Sequence, residues 1–293
     1  MKRTSDSSSQ RPKKKPSHRP IHITVGAVNP PASHLNNEKR KFGTSSYGNY
    51  TSYYTTRHPQ GDATIDYRID LLDASIFNGK SVLDLGCNSG NITIALAQKY
   101  KPSFIKGIDI DENLIRKANT NLRIAYSLRD PNMKELKHID LALQSHYFPK
   151  CLSNMYGLLQ MAVPPTFERT EFPWTVEFET VDWTENPYNP NEQQYDTILA
   201  LSLTKWIQLH GGDKGIKSFF KKVFDSLSRD GSFVVEPQEL KYTRAKNLNL
   251  DVDNFKFLPE HYNDFLMNKL GFKKCLDLGA PKGSSTSIFM YTK

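Results

Sequence analysis

The sequence predicts an α/β fold, a Rossmann-like, doubly wound sheet of seven strands closing with an antiparallel last strand, on three observations. An apolar strand, Val82-Leu83-Asp84-Leu85, runs straight into Gly86-Cys87-Asn88-Ser89-Gly90 and then a helical pattern, the strand–glycine turn–helix unit that grips nucleotides. Asp109 follows 23 residues after Gly86 at the end of a second apolar segment, where one carboxylate accepts both hydroxyls of a ribose. The C-terminal residues hold two strand patterns joined by a Gly/Pro/Ser turn, an antiparallel hairpin where a dinucleotide domain would end in parallel strands.

Taken in order, periodicity places strands at Ser81–Leu85 and Phe104–Ile108, each followed by a helix, from about Asn91 to Tyr100 and from about Glu112 to Leu128. Residues 129–190 then interrupt the alternation as an insertion, with a short strand at Thr175–Thr180 near its end. A strand at Thr197–Leu201, a helix at Lys214–Leu227 and, after the Asp230-Gly231 turn, a strand at Ser232–Glu236 resume it. The chain closes with a helix at Pro259–Leu270 and the strands Lys273–Leu278 and Ser287–Tyr291.

Glycine spacing narrows the ligand. A pyrophosphate sits on G-x-G-x-x-G, whereas Gly86 and Gly90 form G-x-x-x-G with no P-loop lysine behind them. A cofactor without phosphates fits better. S-adenosylmethionine would lay its methionine part across Gly86–Gly90 and its ribose on Asp109, and with the closing hairpin this marks the class I S-adenosylmethionine-dependent methyltransferase sheet. The competing reading is a tight strand-to-helix turn with no ligand.

Charge is unevenly placed. The first 60 residues hold eleven Lys/Arg and two Asp/Glu, leaving 28 against 29 for the rest. Residues 1–38 read as a disordered basic tail: Arg11-Pro12-Lys13-Lys14-Lys15-Pro16 and Ser7–Ser9 offer nothing to bury, and no apolar stretch follows to make a secretory signal. Arg11–Lys15 reads as a nuclear import signal, placing the protein in the nucleus, or as an RNA-binding arm, against a plain solvated tail. Residues 39–293 are the folded domain, with no apolar run that would span a membrane. Cys87, Cys151 and Cys275 lie far apart without metal-binding spacing, so neither a disulfide framework nor a metal is expected.

Two further segments carry chemistry. Within 41–70, Tyr47, Tyr50, Tyr53 and Tyr54 interleave with Arg57 and Arg68, a composition suited to a surface that meets a nucleic acid end, rings stacking on bases and guanidinium groups binding phosphate. A buried helix with a tyrosine stripe is the structural alternative. Leu201-Ser202-Leu203-Thr204-Lys205-Trp206 occupies the strand end where class I methyltransferases present the acceptor atom. It lacks the Asn/Asp-Pro-Pro-aromatic run of base amino methylation, and no Lys-Asp-Lys-Glu set for ribose methylation can be assembled. Lys205 suits an anionic acceptor: a phosphate oxygen is already ionised, so positioning and charge complementarity replace a general base. A helix start with a packed indole is the plainer reading of Lys205-Trp206.

These pieces, Tyr47-Gly48-Asn49-Tyr50 with Tyr53-Tyr54, Val82–Gly90, Gly107–Asp111, Leu201–Trp206 and Glu236-Pro237-Gln238, stand in the order in which the chain resembles the methylphosphate capping enzymes, the bicoid-interacting RNA methyltransferases. The resemblance implies cofactor contacts at Tyr54, Arg68, Gly86, Cys87, Asn88, Asp109, Ile110, Asp182, Trp183 and Leu201. It implies that Tyr53, Arg57 and Lys205 meet the terminal phosphate. Asp182-Trp183 departs from the family's Asn-Tyr, though an acid still accepts from the adenine amino group and an indole still packs on its ring; the residues after Gln238 also diverge. The activity implied is methyl transfer to the 5′ phosphate of a small structured noncoding RNA, in association with a La-related RNA-binding protein. A mainly structural RNA-binding subunit, for example of a small nuclear or telomerase ribonucleoprotein, is the alternative, and a small-molecule or protein methyltransferase fits the phosphate-binding set poorly.

Overall fold

Parallel strands become neighbours only through a crossover, and helices provide it here. The computed structural model describes residues 66–128, 155–162, 166, 168, 170–185, 194–238 and 255–293. Along them run β1 (Ser81–Leu85), α1 (Asn91–Tyr100), β2 (Phe104–Asp109), α2 (Glu112–Ser127), β3 (Val176–Thr180), β4 (Tyr195–Leu201), α3 (Thr204–Ser226) and β5 (Leu227–Glu236). A helical stretch, α4, then passes through Pro259–His261, Tyr262–Asp264 and Phe265–Leu270 before β6 (Lys274–Gly279) and β7 (Ile288–Thr292).

The strands form one seven-stranded sheet in the order β3-β2-β1-β4-β5-β7-β6. Neighbours from β3 to β5 pair in parallel, while β7 slots between β5 and β6 antiparallel to both. This is the doubly wound sheet with an antiparallel last strand that defines class I methyltransferases. Chain order reverses between β1 and β4, and ligands of such sheets bind beyond the carboxyl ends of the strands at that point.

Side chains alternate along β1, so one strand feeds two cores. Leu83 and Leu85 join Ile198, Ala200, Phe233 and Val235 against Ile216, Phe220 and Val223 of α3 and Leu266 of α4. Val82 joins Ile105, Leu199 and Val234 against Ile92 and Leu96 of α1, Leu122 of α2 and Phe77 ahead of β1. With both faces covered, the central strands are near-continuous apolar runs.

Most boundaries fall within one or two residues of those read from periodicity, but two do not. α3 begins at Thr204 rather than Lys214. The Gly211-Gly212 pair reads as a stop, and Gly212 does break the helix (φ 62°, ψ −165°), yet Trp206, Ile207 and Leu209 bury on the near side and hold the preceding turns. β5 begins at Leu227 rather than Ser232: Tyr195 pairs with Leu227 but Thr197 with Ser232, so Asp230-Gly231 is a bulge inside the strand and not a turn before it. Among the described residues no helix is long and apolar enough to cross a membrane, and no group of His, Cys, Asp or Glu could hold a metal ion.

Candidate active site

At the end of β1 the chain must bend sharply into α1, and Gly86 does so at φ +72°. A Cβ there would lie 3.0 Å from Leu203 Cδ1, so the missing side chain makes room for the β4–α3 turn. Gly90, at φ +75°, is tighter: its Cβ would lie 2.5 Å from Phe178 Cζ and 2.9 Å from Ala118 Cβ. At both positions the missing side chain makes room for packing of the turn, against Leu203 at Gly86 and against Phe178 and Ala118 at Gly90. The Gly86 and Cys87 amides donate to the Ile108 carbonyl at 2.9 and 3.0 Å, and Asn121 Nδ2 of α2 donates to the Ser89 carbonyl at 2.8 Å.

Asp109 ends β2 directly across from this turn. Its Oδ2 accepts the Asn88 amide at 2.9 Å and its Oδ1 the Asp111 amide at 3.0 Å. Burial raises its carboxyl above the ordinary range, and the amides oppose the shift. The Cys87 thiol is buried and, through desolvation and the charges of Asp84 and Asp109, pushed well above its usual range, so it supplies shape and not a nucleophile. Ile110 is partly exposed beside Asp109.

β3 runs in register with β2, Thr180 opposite Asp109, which brings the next turn alongside. Asp182 Oδ1 accepts from the Thr184 amide and hydroxyl at 2.9 and 2.6 Å. The Trp183 indole packs on α3, edge-on to Phe219 with centroids 5.7 Å apart, while Lys222 Nζ stands 4.2 Å from the ring centroid and donates to the Trp183 carbonyl at 2.6 Å.

The third wall is the end of β4 and the start of α3. Leu201 is buried in the sheet, Lys205 is half-buried in the first turn of α3 with Nζ 5.2 Å from the Trp206 ring centroid, and Trp206 is buried. Lys205-Trp206 thus lies in a helix start with a packed indole, at the carboxyl end of β4. Thr204 Oγ1 is fully buried with no hydrogen-bond partner among the described residues.

Arg68 departs from its sequence reading. The tyrosine–arginine composition placed it on a surface facing nucleic acid; it is 1% exposed. Its Nε and Nη2 donate to the two Asp66 oxygens at 2.9 and 2.7 Å, and its Nη1 donates to Glu236 Oε2 at 3.0 Å. Tyr53, Tyr54 and Arg57 lie outside the described residues. Two buried acids escaped sequence reasoning. Asp66 carries no motif, but Asp84 left a signal, a carboxylate in the middle of an apolar strand. It accepts from Thr93 Oγ1 at 2.6 Å, and burial raises it to about 6 against the opposing pull of Thr93 and Arg68.

A family model for a methyltransferase domain matches residues 76–148, and the model for bicoid-interacting protein 3 (Bin3) matches residues 195–293. The U6 snRNA methylphosphate capping enzyme of Drosophila melanogaster is 31% identical over 274 residues, covering 89% of this chain and 79% of that protein. A probable RNA methyltransferase of Arabidopsis thaliana is 31% identical over 262 residues, covering 84% of this chain and 80% of that one. The chain belongs to the Bin3 family. The human 7SK snRNA methylphosphate capping enzyme is 31% identical over 288 residues, 90% of this chain; the chain spans 41% of that longer protein. Val82–Gly90 and Gly107–Asp111 fall inside the methyltransferase match, and Leu201–Trp206 with Glu236–Gln238 inside the Bin3 match.

The residues present fit S-adenosylmethionine. A carboxylate has about four lone-pair directions, so Asp109 keeps acceptor capacity for a ribose diol beyond the two amides, and the glycines keep side chains off the turn where a methionine part would cross.

Proposed function

We propose that this Bin3-family chain transfers a methyl group from S-adenosylmethionine to an oxygen of the 5′-terminal phosphate of a small noncoding RNA. The observation that carries the reading is the cation Lys205 in the first turn of α3, two residues after Leu203, which packs against Gly86, in a family whose named relatives include U6 and 7SK snRNA methylphosphate capping enzymes.

Bound S-adenosylmethionine supplies an electrophilic methyl carbon on a sulfonium. Asp109 accepts from the ribose hydroxyls, Asp182 accepts from the adenine amino group, and Trp183, anchored on α3, holds that turn. Gly86, Cys87 and Asn88 with Ile110 and Leu201 border the remaining cofactor contacts, joined by Tyr54; the Arg68 guanidinium, which the resemblance also sets there, is engaged by Asp66, Glu236 and Ser202. Lys205, with Tyr53 and Arg57, holds the phosphate in line. Held there by Lys205, Tyr53 and Arg57, an ionised phosphate oxygen would face the methyl carbon that the cofactor would supply. No residue removes a proton, because the attacking oxygen is ionised at neutral pH.

Nuclear residence belongs to the same reading, supported by the Arg11–Lys15 cluster and the small nuclear RNA named for the relatives, and association with a La-related protein is proposed with it on the family resemblance alone. The basic excess of the first 60 residues favours a second role as an RNA-binding subunit of a ribonucleoprotein. Labelled cofactor, offered with one RNA bearing or lacking its 5′ phosphate, tests the reading. Transfer only to the phosphorylated RNA, reduced about a hundredfold or more by Lys205→Ala, is expected. Equal labelling of the 5′-hydroxyl RNA refutes it, and RNA binding without labelling favours the structural role.

A further inference from the structure

Ser202, between β4 and α3, has φ +60°, a left-handed conformation that L side chains adopt at a cost and that glycine or asparagine fills more readily. Its hydroxyl is firmly held. Ser202 Oγ–H donates to Glu236 Oε2 at 2.6 Å, and Oγ accepts from Arg68 Nη1 at 3.3 Å. The same Nη1 donates to Glu236 Oε2 at 3.0 Å, while Asp66 grips the other side of the guanidinium. All four residues are buried. Glu236 is the last residue of β5 and pairs in register with Leu201, so the network ties the ends of β4 and β5 to the segment ahead of β1.

We propose that Arg68, Glu236 and Ser202 are positioning residues: their network locks the β4–α3 turn in its left-handed shape and thereby sets where Lys205 presents its ammonium. This rests on the reading of Lys205 given above. The mechanics follow from the chain. Lys205 lies three residues beyond Ser202, so a rotation at Ser202 swings the start of α3 relative to the sheet, and an ammonium displaced by an ångström no longer faces the developing transition state. A buried carboxylate–guanidinium pair suits such a lock, because breaking it strands a charge away from water. Left-handed backbone at a functional turn persists only where the surroundings over-determine it, and here three elements do so.

The test uses the full chain with Glu236→Gln, the milder Ser202→Ala, Ser202→Gly, and Ser202→Gly combined with Glu236→Gln. Calorimetry gives the S-adenosylmethionine Kd, steady-state kinetics on a 5′-phosphorylated RNA gives kcat and KM, and hydrogen exchange follows the amides of residues 203–206. Glu236→Gln and Ser202→Ala are expected to lower kcat about tenfold, with cofactor Kd within about twofold of wild type and faster exchange of those amides. Ser202→Gly should keep most of kcat and restore part of it in the double variant, because glycine takes the left-handed shape without the lock. A cofactor Kd that rises in step with the loss of kcat would make the network a cofactor-binding group and overturn the proposal, as would unchanged kcat or no rescue by glycine. If wild type fails to label the phosphorylated RNA, the reading of Lys205 fails on its own. Hydrogen exchange then judges the lock, and unchanged exchange at residues 203–206 would sink it.

Discussion

Replacing Asp109 by Asn should weaken S-adenosylmethionine binding while leaving most of the fold in place. The side chain keeps its size, and its remaining carbonyl oxygen still accepts one of the two amides, Asn88 or Asp111, that the carboxylate holds at 2.9 and 3.0 Å. What goes is the charge behind hydrogen bonds from the ribose, worth about 1.5 to 3 kcal/mol for a bond to a charged group. At 1.4 kcal/mol per decade that is a loss of about tenfold to a hundredfold in Kd. Calorimetry near neutral pH measures it, and a melting curve on the same sample separates it from damage to the turn. The pH dependence is a second signature. Burial raises the Asp109 carboxyl, and the cofactor requires the ionised form, so wild-type affinity falls on acidification from a higher pH than an ordinary aspartate would give. Over that range the Asn variant should be flat. Equal affinity, or the same pH profile in both proteins, would refute the role given to Asp109.

Gly90→Ala should cost stability by two routes, a left-handed backbone and a Cβ 2.5 Å from Phe178 Cζ; about 1–2 kcal/mol for the first and 1–3 for the second are expected, and a denaturant titration showing less than about 1 kcal/mol in total would contradict the packing. Asp84, raised from 3.8 to about 6, keeps in the fold a proton that the unfolded chain releases, so it favours folding below the ordinary carboxylate pKa and that contribution is lost as pH rises to about 6. Asp84→Asn should remove on the order of 3 kcal/mol of that pH dependence, and an unchanged slope of stability against pH would argue against burial as its cause. Deleting residues 1–38 should weaken RNA binding and flatten its dependence on salt without abolishing methyl transfer, since lost Lys/Arg contacts release fewer counterions; an unchanged salt slope would count against an RNA-binding tail.

The parts legible in the sequence are those set by local chemistry. β1, its glycine turn and Asp109 follow from an apolar run, two residues without side chains and one acid, and the closing hairpin from its turn residues. Leu201–Trp206 reads as a candidate site segment because a lysine stands where an acceptor would be presented. What the sequence hid depends on distant contacts. Phe178, remote from Gly90 in the chain, decides why that position is glycine. Arg68 reads as a surface cation beside the tyrosines, and only the pairing of β5 with β4 brings Glu236 to it and buries both. The start of α3 was obscured by Gly211-Gly212, a local stop signal that Trp206, Ile207 and Leu209 override through burial.

The most direct measurement of the central claim locates the transferred methyl. A 5′-phosphorylated small RNA is incubated with the full chain and S-adenosylmethionine, digested to nucleotides and analysed by mass spectrometry, with phosphatase treatment in parallel. The terminal phosphate should be one methyl group heavier and resist phosphatase, while every internal nucleoside keeps its unmodified mass. A methyl on an internal base or ribose, or a terminal phosphate that stays unmethylated and phosphatase-sensitive, would contradict the account.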